Sequence, residues 1–138
     1  MLGILVVTHY RLADEFLQAL ELIVGTLEHV RAVGLDPGTP PEEMRRQIES
    51  AVAEVKQGAG VLMLVDMFGG TPSNLCMSFL SEDIEVVTGL NLPMLVKVAR
   101  SGELGLAEAA KLASDYGRRN ISVASEVLAG ADRAAEDT

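Results

Sequence analysis

Short runs rich in apolar residues alternate along this chain with longer stretches in which apolar residues recur every three or four positions. The runs are 3–8 (GILVVT), 29–35 (HVRAVGL), 61–65 (VLMLV) and 84–88 (IEVVT). The runs 3–8 and 61–65, short and rich in branched side chains, predict strands buried on both faces, and 29–35 and 84–88 read as further strands. Between the first two, Ala13, Phe16, Leu17, Leu20, Ile23 and Val24 fall at helical spacing over 11–26, and Gly25 stands near the expected stop. The turn 36–41 (DPGTPP) predicts a second helix, with Thr39 as its cap, Pro40 first and Glu42 third, in a capping-box pattern. Met44, Ile48, Ala51, Val52 and Val55 mark its buried stripe.

The stretch 60–74 (GVLMLVDMFGGTPSN) organises the remainder. A buried strand ends in a carboxylate, Asp66, and a Gly-Gly turn follows. Thr71-Pro72 then predicts a capped helix start that buries Leu75, Cys76 and Phe79. Asn91-Leu92-Pro93 predicts another capped start, for a short helix ended by Ser101-Gly102. A last helix is expected over 104–119, with Leu106, Ala109, Ala110 and Ala113 as its stripe, then a weak fifth strand over 121–124 (ISVA). Strand and helix alternate with short connections, which implies a mainly parallel sheet with helices on both faces. The expected fold is a three-layer α/β sandwich: a doubly wound sheet of four strands plus a short C-terminal strand. One domain is expected over 1–125, with a tail at 126–138 that frays.

Composition narrows this picture. At 138 residues the chain is long enough for one real core, and with 49% hydrophobic but only 4% aromatic residues that core is aliphatic. The apolar runs are too short to span a bilayer, and the start Met1-Leu2-Gly3 lacks the basic residues of a signal peptide. The single cysteine, Cys76, excludes an internal disulfide and fits a reducing cytoplasm. A net charge of −9 argues against nucleic acid and anionic membrane as partners.

Two strand ends carry the candidate chemistry. His9 closes the first strand and Asp66 the third, so their side chains can meet at one edge of a parallel sheet, where ligands of such folds bind. A carboxylate that accepts Nδ1–H fixes the tautomer and leaves Nε2 free as nucleophile or base. The ordinary reading, a loop histidine and a turn aspartate, leaves the convergence with the glycine turn unexplained. Gly69, Gly70, Thr71 and Ser73 offer backbone N–H groups and hydroxyls that could cradle a phosphoryl group; the plainer alternative is a tight turn with a cap. Neither the GxxxxGK[ST] nor the GxGxxG pattern occurs, so no nucleotide is expected. Two histidines and one cysteine at unhelpful spacing give no metal site, and no other cofactor is expected. His29 reads as structural or solvated and Cys76 as core. Lys97 and Arg100 read as a solvated helix face or a positive rim.

The pieces GILVVTHYRLADEFL, GVLMLVDMFGGTPSN and VVTGLNLPMLV together resemble the IIA component of the mannose-type sugar phosphotransferase system. The resemblance implies a cytoplasmic phosphotransferase that works through a phosphohistidine. Its histidine, matched by His9, accepts phosphate from the histidine-containing phosphocarrier protein and donates it to a IIB component. The supporting aspartate is matched by Asp66, the aromatic before the glycines by Phe68, and a serine of some members by Thr71. Since the chain stops at Thr138, the IIB partner is expected on a separate chain, and membrane contact only through permease components. Family dimers exchange a C-terminal strand, so a homodimer is expected, with 121–124 as the candidate strand. An apolar rim of Met67, Phe68 and Leu90 suits docking of large partners, with local packing equally open. Two other readings stand beside this one: a regulatory module that reports phosphorylation state to a sensor or transcription factor, and the related phosphocarrier subunit of dihydroxyacetone kinase.

Overall fold

Even and odd residues of the inner strands go to opposite sides of one sheet, and this sorts the whole core. The computed structural model describes residues 1–136, with side chains through Gly130. The elements are β1 (Gly3–His9), α1 (Leu12–Val24), β2 (Val30–Leu35), α2 (Pro41–Val55), β3 (Val61–Val65), α3 (Thr71–Met77), β4 (Ile84–Thr88), α4 (Leu92–Ala99), α5 (Leu106–Arg119) and α6 (Ala124–Glu136). The strands run β2-β1-β3-β4, all parallel. Ile4, Val6, Leu62 and Leu64 pack under α1, α4 and α5, while Leu5, Val7, Met63 and Val65 pack under α2 and α3. Both inner strands are covered on both faces, which is why their sequences read as unbroken apolar runs. The expected three-layer α/β sandwich is the one observed. No helix among the described residues is long and apolar enough to cross a membrane.

Helix starts divide into one that the sequence located and two that it misplaced. Asn91 caps α4 as expected, its side chain accepting from the Met94 N–H at 3.0 Å. Thr39 does not cap α2; it lies in a turn closed on the Asp36 carbonyl, and Pro40 holds the cap position. The physical reason is the second proline: Pro41 forces the residue before it out of the helical region, to φ −59°, ψ 145°. Nor does Thr71 cap α3. It is the first helical residue, with Gly70 in the extended cap position and no side-chain capping bond.

The fifth strand does not form. Ile121 ends the last turn of α5 through a bond from its N–H to the Arg118 carbonyl, and the Val123 carbonyl accepts from Glu126 and Val127 at the start of α6. The apolar content of 121–124 is too slight to hold a strand, and the residues after it, rich in alanine with glutamate and leucine, favour helix. The expected frayed tail is therefore helical from Ala124 to Glu136; positions 137 and 138 lie outside the described residues. Over its described side chains α6 is exposed, including Val127 and Leu128.

Candidate functional site

The site forms where two adjacent strands stop at different lengths. Val7 of β1 lies opposite Val65 of β3, so Asp66 follows its strand by one residue while His9 extends β1 by two. That stagger lets one carboxylate reach both the backbone and the ring of the histidine. Asp66 Oδ2 accepts from the His9 backbone N–H at 3.0 Å and sits 2.8 Å from His9 Nδ1. A carboxylate only accepts, so Nδ1 carries the proton and Nε2 keeps the lone pair. Asp66 Oδ1 accepts from the Met67 N–H at 3.0 Å, which ties the start of the glycine turn to the same group. The Asp66 side chain is 12% exposed and that of His9 49%, so a sheltered acid holds an accessible base.

Gly70 determines where the free nitrogen lies. A Cβ placed on Gly70 would stand 2.6 Å from Cε1 and 2.8 Å from Nε2 of His9, inside any real contact distance. The imidazole therefore lies directly against the backbone of the turn, and only glycine permits this approach. Gly69 supplies the bend beside it, at φ +93°. Gly70→Ala is expected to push the ring off its bond to Asp66. Because His9 is half exposed, the ring can swing aside rather than distort the fold, and any reaction at Nε2 of His9 should slow by about tenfold while the circular dichroism stays native. A wild-type rate by rapid quench would show that the close approach is dispensable.

The remaining sequence-predicted residues are distributed unevenly. Thr71 is exposed at the turn, whereas Ser73 is fully buried and its Oγ has no hydrogen-bond partner among the described residues. Met67 and Phe68, which follow Asp66 in the chain, are exposed, Phe68 to 68%. Leu90 corrects the expected rim: at 8% exposure it packs in the core with Leu64 and Met94, drawn in by a bond from its N–H to the Val65 carbonyl. His29 is buried at the opposite edge of the sheet, where its carbonyl accepts from the Ile4 N–H. Burial, helped by the nearby Asp66 charge, pushes the Cys76 thiol up to about 12. It stays protonated and belongs to the core, as its helical position implied. Lys97 and Arg100 line a groove of about 450 Å³ with Tyr116, on the outer side of α4. Beside His9 itself there is a smaller crevice of about 210 Å³, lined by Tyr10, Leu35, Met44 and Pro72. Among the described residues no group of three or more His, Cys, Asp or Glu gathers to hold a metal ion.

Sequence reading missed two residues next to His9. Thr8 is fully buried, and its Oγ1 accepts from the Ala13 N–H at 2.6 Å, so the cap of α1 comes from the end of β1. Tyr10 takes a left-handed conformation, φ 51°, which no local signal announced.

Residues 3–113 match the family model described as the PTS system fructose IIA component. The chain is 32% identical over 124 residues to the PTS system mannose-specific EIIAB component of Escherichia coli strain K12, covering 87% of this chain and 38% of that protein. It is 28% identical to the PTS system fructose-specific EIIA component of Bacillus subtilis, over 100% of this chain and 97% of that protein. Among solved structures, the phosphotransferase system component EIIA of Streptococcus agalactiae superposes with a TM-score of 0.81 at 28% identity, over 91% of this chain and 99% of that chain.

Proposed function

This chain belongs to the fructose/mannose-type IIA family of the sugar phosphotransferase system, and from that premise we propose that it carries a phosphoryl group on Nε2 of His9. The donor is the histidine-containing phosphocarrier protein and the acceptor a IIB component, both met in the cytoplasm. One observation carries this reading: Nδ1 is committed to Asp66 at 2.8 Å while Nε2 is left free on a half-exposed ring. In the transfer, the donor's P–N bond breaks as a bond forms between phosphorus and the Nε2 lone pair. The ring gains positive charge, and the Asp66 carboxylate, already bonded to Nδ1–H, stabilises it. Such transfers depend on in-line positioning and charge stabilisation more than on covalent machinery. Gly69, Gly70 and Thr71 form the proposed cradle for the phosphoryl oxygens. The Ser73 hydroxyl, expected in the same cradle, is buried and has no partner among the described residues. Exposed Met67 and Phe68 form the proposed apolar docking rim.

The test is passage of the group onward. Protein phosphorylated from phosphoenolpyruvate through the general enzyme and the phosphocarrier should lose its label to a IIB component of the mannose type. Uptake without release to any IIB would favour the regulatory reading. Release only to a dihydroxyacetone kinase would favour the kinase-subunit reading.

We also propose a homodimer. Ile121, Val123, Val127 and Leu128 are all exposed on and before α6, and an isolated helix of this length is marginal in water. A second copy covering this segment would contact a helix rather than an exchanged strand. Light scattering at micromolar concentration should give twice the chain mass; a monomer there would contradict the dimer.

A further inference from the structure

We propose that Thr8 is a positioning residue for phosphoryl transfer: its hydroxyl holds the backbone of His9 so that Nε2 is presented in one place. The inference rests on His9 being the phosphoryl carrier, and it concerns how that atom is held. Each polar group of His9 has a named partner except Nε2. The N–H donates to Asp66 Oδ2 at 3.0 Å, and Nδ1–H donates to the same oxygen at 2.8 Å. The carbonyl accepts from Thr8 Oγ1 at 3.1 Å. The next N–H, that of Tyr10, donates to the Leu35 carbonyl at 2.9 Å. The peptide plane between His9 and Tyr10 is thus held at its carbonyl by Thr8 and at its N–H by β2.

That double hold accounts for the conformation after the histidine. Tyr10 sits at φ 51°, which a bulky residue keeps only where its surroundings impose it. The packing there is close: a Cβ on Gly34 would lie 2.1 Å from the Tyr10 carbonyl oxygen. Thr8 is fully buried, so its hydroxyl has no water to turn to. It accepts from Ala13 N–H at the start of α1 and so must aim its own proton elsewhere, and the His9 carbonyl receives it. One hydroxyl therefore joins the first helix to the reacting residue. A plain helix cap would need only the bond from Ala13. The second bond, to His9, is what ties this residue to the chemistry.

Thr8→Val keeps the shape and removes both bonds. With phosphorylated phosphocarrier as substrate, its KM should stay within about twofold, because docking surfaces are untouched, while the transfer rate falls about tenfold. Thr8→Ser restores the hydroxyl and should bring the rate back to within about threefold of the wild type. Long-range nitrogen-15 spectra of the unphosphorylated protein should show His9 held as the Nδ1–H form in wild type and Thr8→Ser, and as a tautomer mixture in Thr8→Val. Thr8→Cys, with a weaker hydrogen-bonding group of similar size, replaces Thr8→Val should the latter fail to fold. A wild-type rate and a single tautomer in the hydroxyl-less variant would overturn the proposal, as would a Thr8→Ser protein as slow as that variant. If the wild type takes no phosphate at all, the carrier reading fails instead, and the tautomer spectra still decide the role of Thr8.

Discussion

His9→Ala is expected to take up no phosphoryl group from the phosphorylated phosphocarrier. The chain has one other histidine, and His29 is buried at the far edge of the sheet with no carboxylate bonded to its ring among the described contacts. Cys76 gives no substitute, since burial pushes its thiol up to about 12 and so keeps it protonated at neutral pH. Removing the His9 ring should leave the fold standing. The ring is half exposed, and Asp66 keeps its bonds from the backbone N–H groups of His9 and Met67. The expected stability cost is at most about 3 kcal/mol, the upper scale of a hydrogen bond to a charged group, which leaves a domain of this size folded. Label from phosphoenolpyruvate should therefore be absent from a protein whose circular dichroism is unchanged. Acid-labile label retained by this variant would remove His9 from the mechanism.

Asp66→Asn should slow both uptake and release of phosphate by about tenfold to a hundredfold. The carboxylate takes three N–H donors on its two oxygens: His9 backbone, His9 Nδ1 and Met67 backbone. An amide has one oxygen. Its NH2 must then face donors on one side, either the histidine pair or the Met67 N–H, and no rotation avoids the conflict. If the NH2 faces His9, Nδ1 loses its acceptor and the wrong tautomer is favoured. If it faces Met67, the glycine turn is loosened beneath the ring. Either arrangement also removes the negative charge that stabilises the imidazolium. A hydrogen bond to a charged group contributes about 1.5–3 kcal/mol, which sets the stated range of rates. Rapid-quench measurement in both directions checks it, and a variant as fast as wild type would reduce Asp66 to a turn residue.

The parts of this molecule that were legible in sequence are those in which local pattern and tertiary role coincide. β1 and β3 are apolar on both faces, so their runs mark them plainly, and the residues that end them, His9 and Asp66, are adjacent because parallel strands finish at one edge. Asn91 followed by a proline-containing helix start announced a true cap. Other features depend on distances that no spacing encodes. Thr8 looks like the last residue of a strand, and its role as cap of α1 appears only when the chain turns back upon it. Gly70 reads as a turn residue until the His9 ring is seen lying against it. The sequence neighbours of Ser73 and Leu90 point to a phosphate cradle and a docking rim, yet both side chains are buried, Leu90 in the core with Leu64 and Met94. The segment from 121 shows the opposite error: two branched residues suggested a strand, and the helix-forming residues that follow decided the matter.

The central claim is atomic: phosphorus goes to Nε2 of His9 because Asp66 holds Nδ1 and the ring lies against Gly70. The most direct test is long-range hydrogen–nitrogen NMR of the phosphorylated protein labelled with nitrogen-15 histidine. The proposed function predicts one phosphohistidine, at residue 9, with phosphorus on Nε2 and a proton still on Nδ1. Phosphorus on Nδ1, or on any other residue, would contradict it.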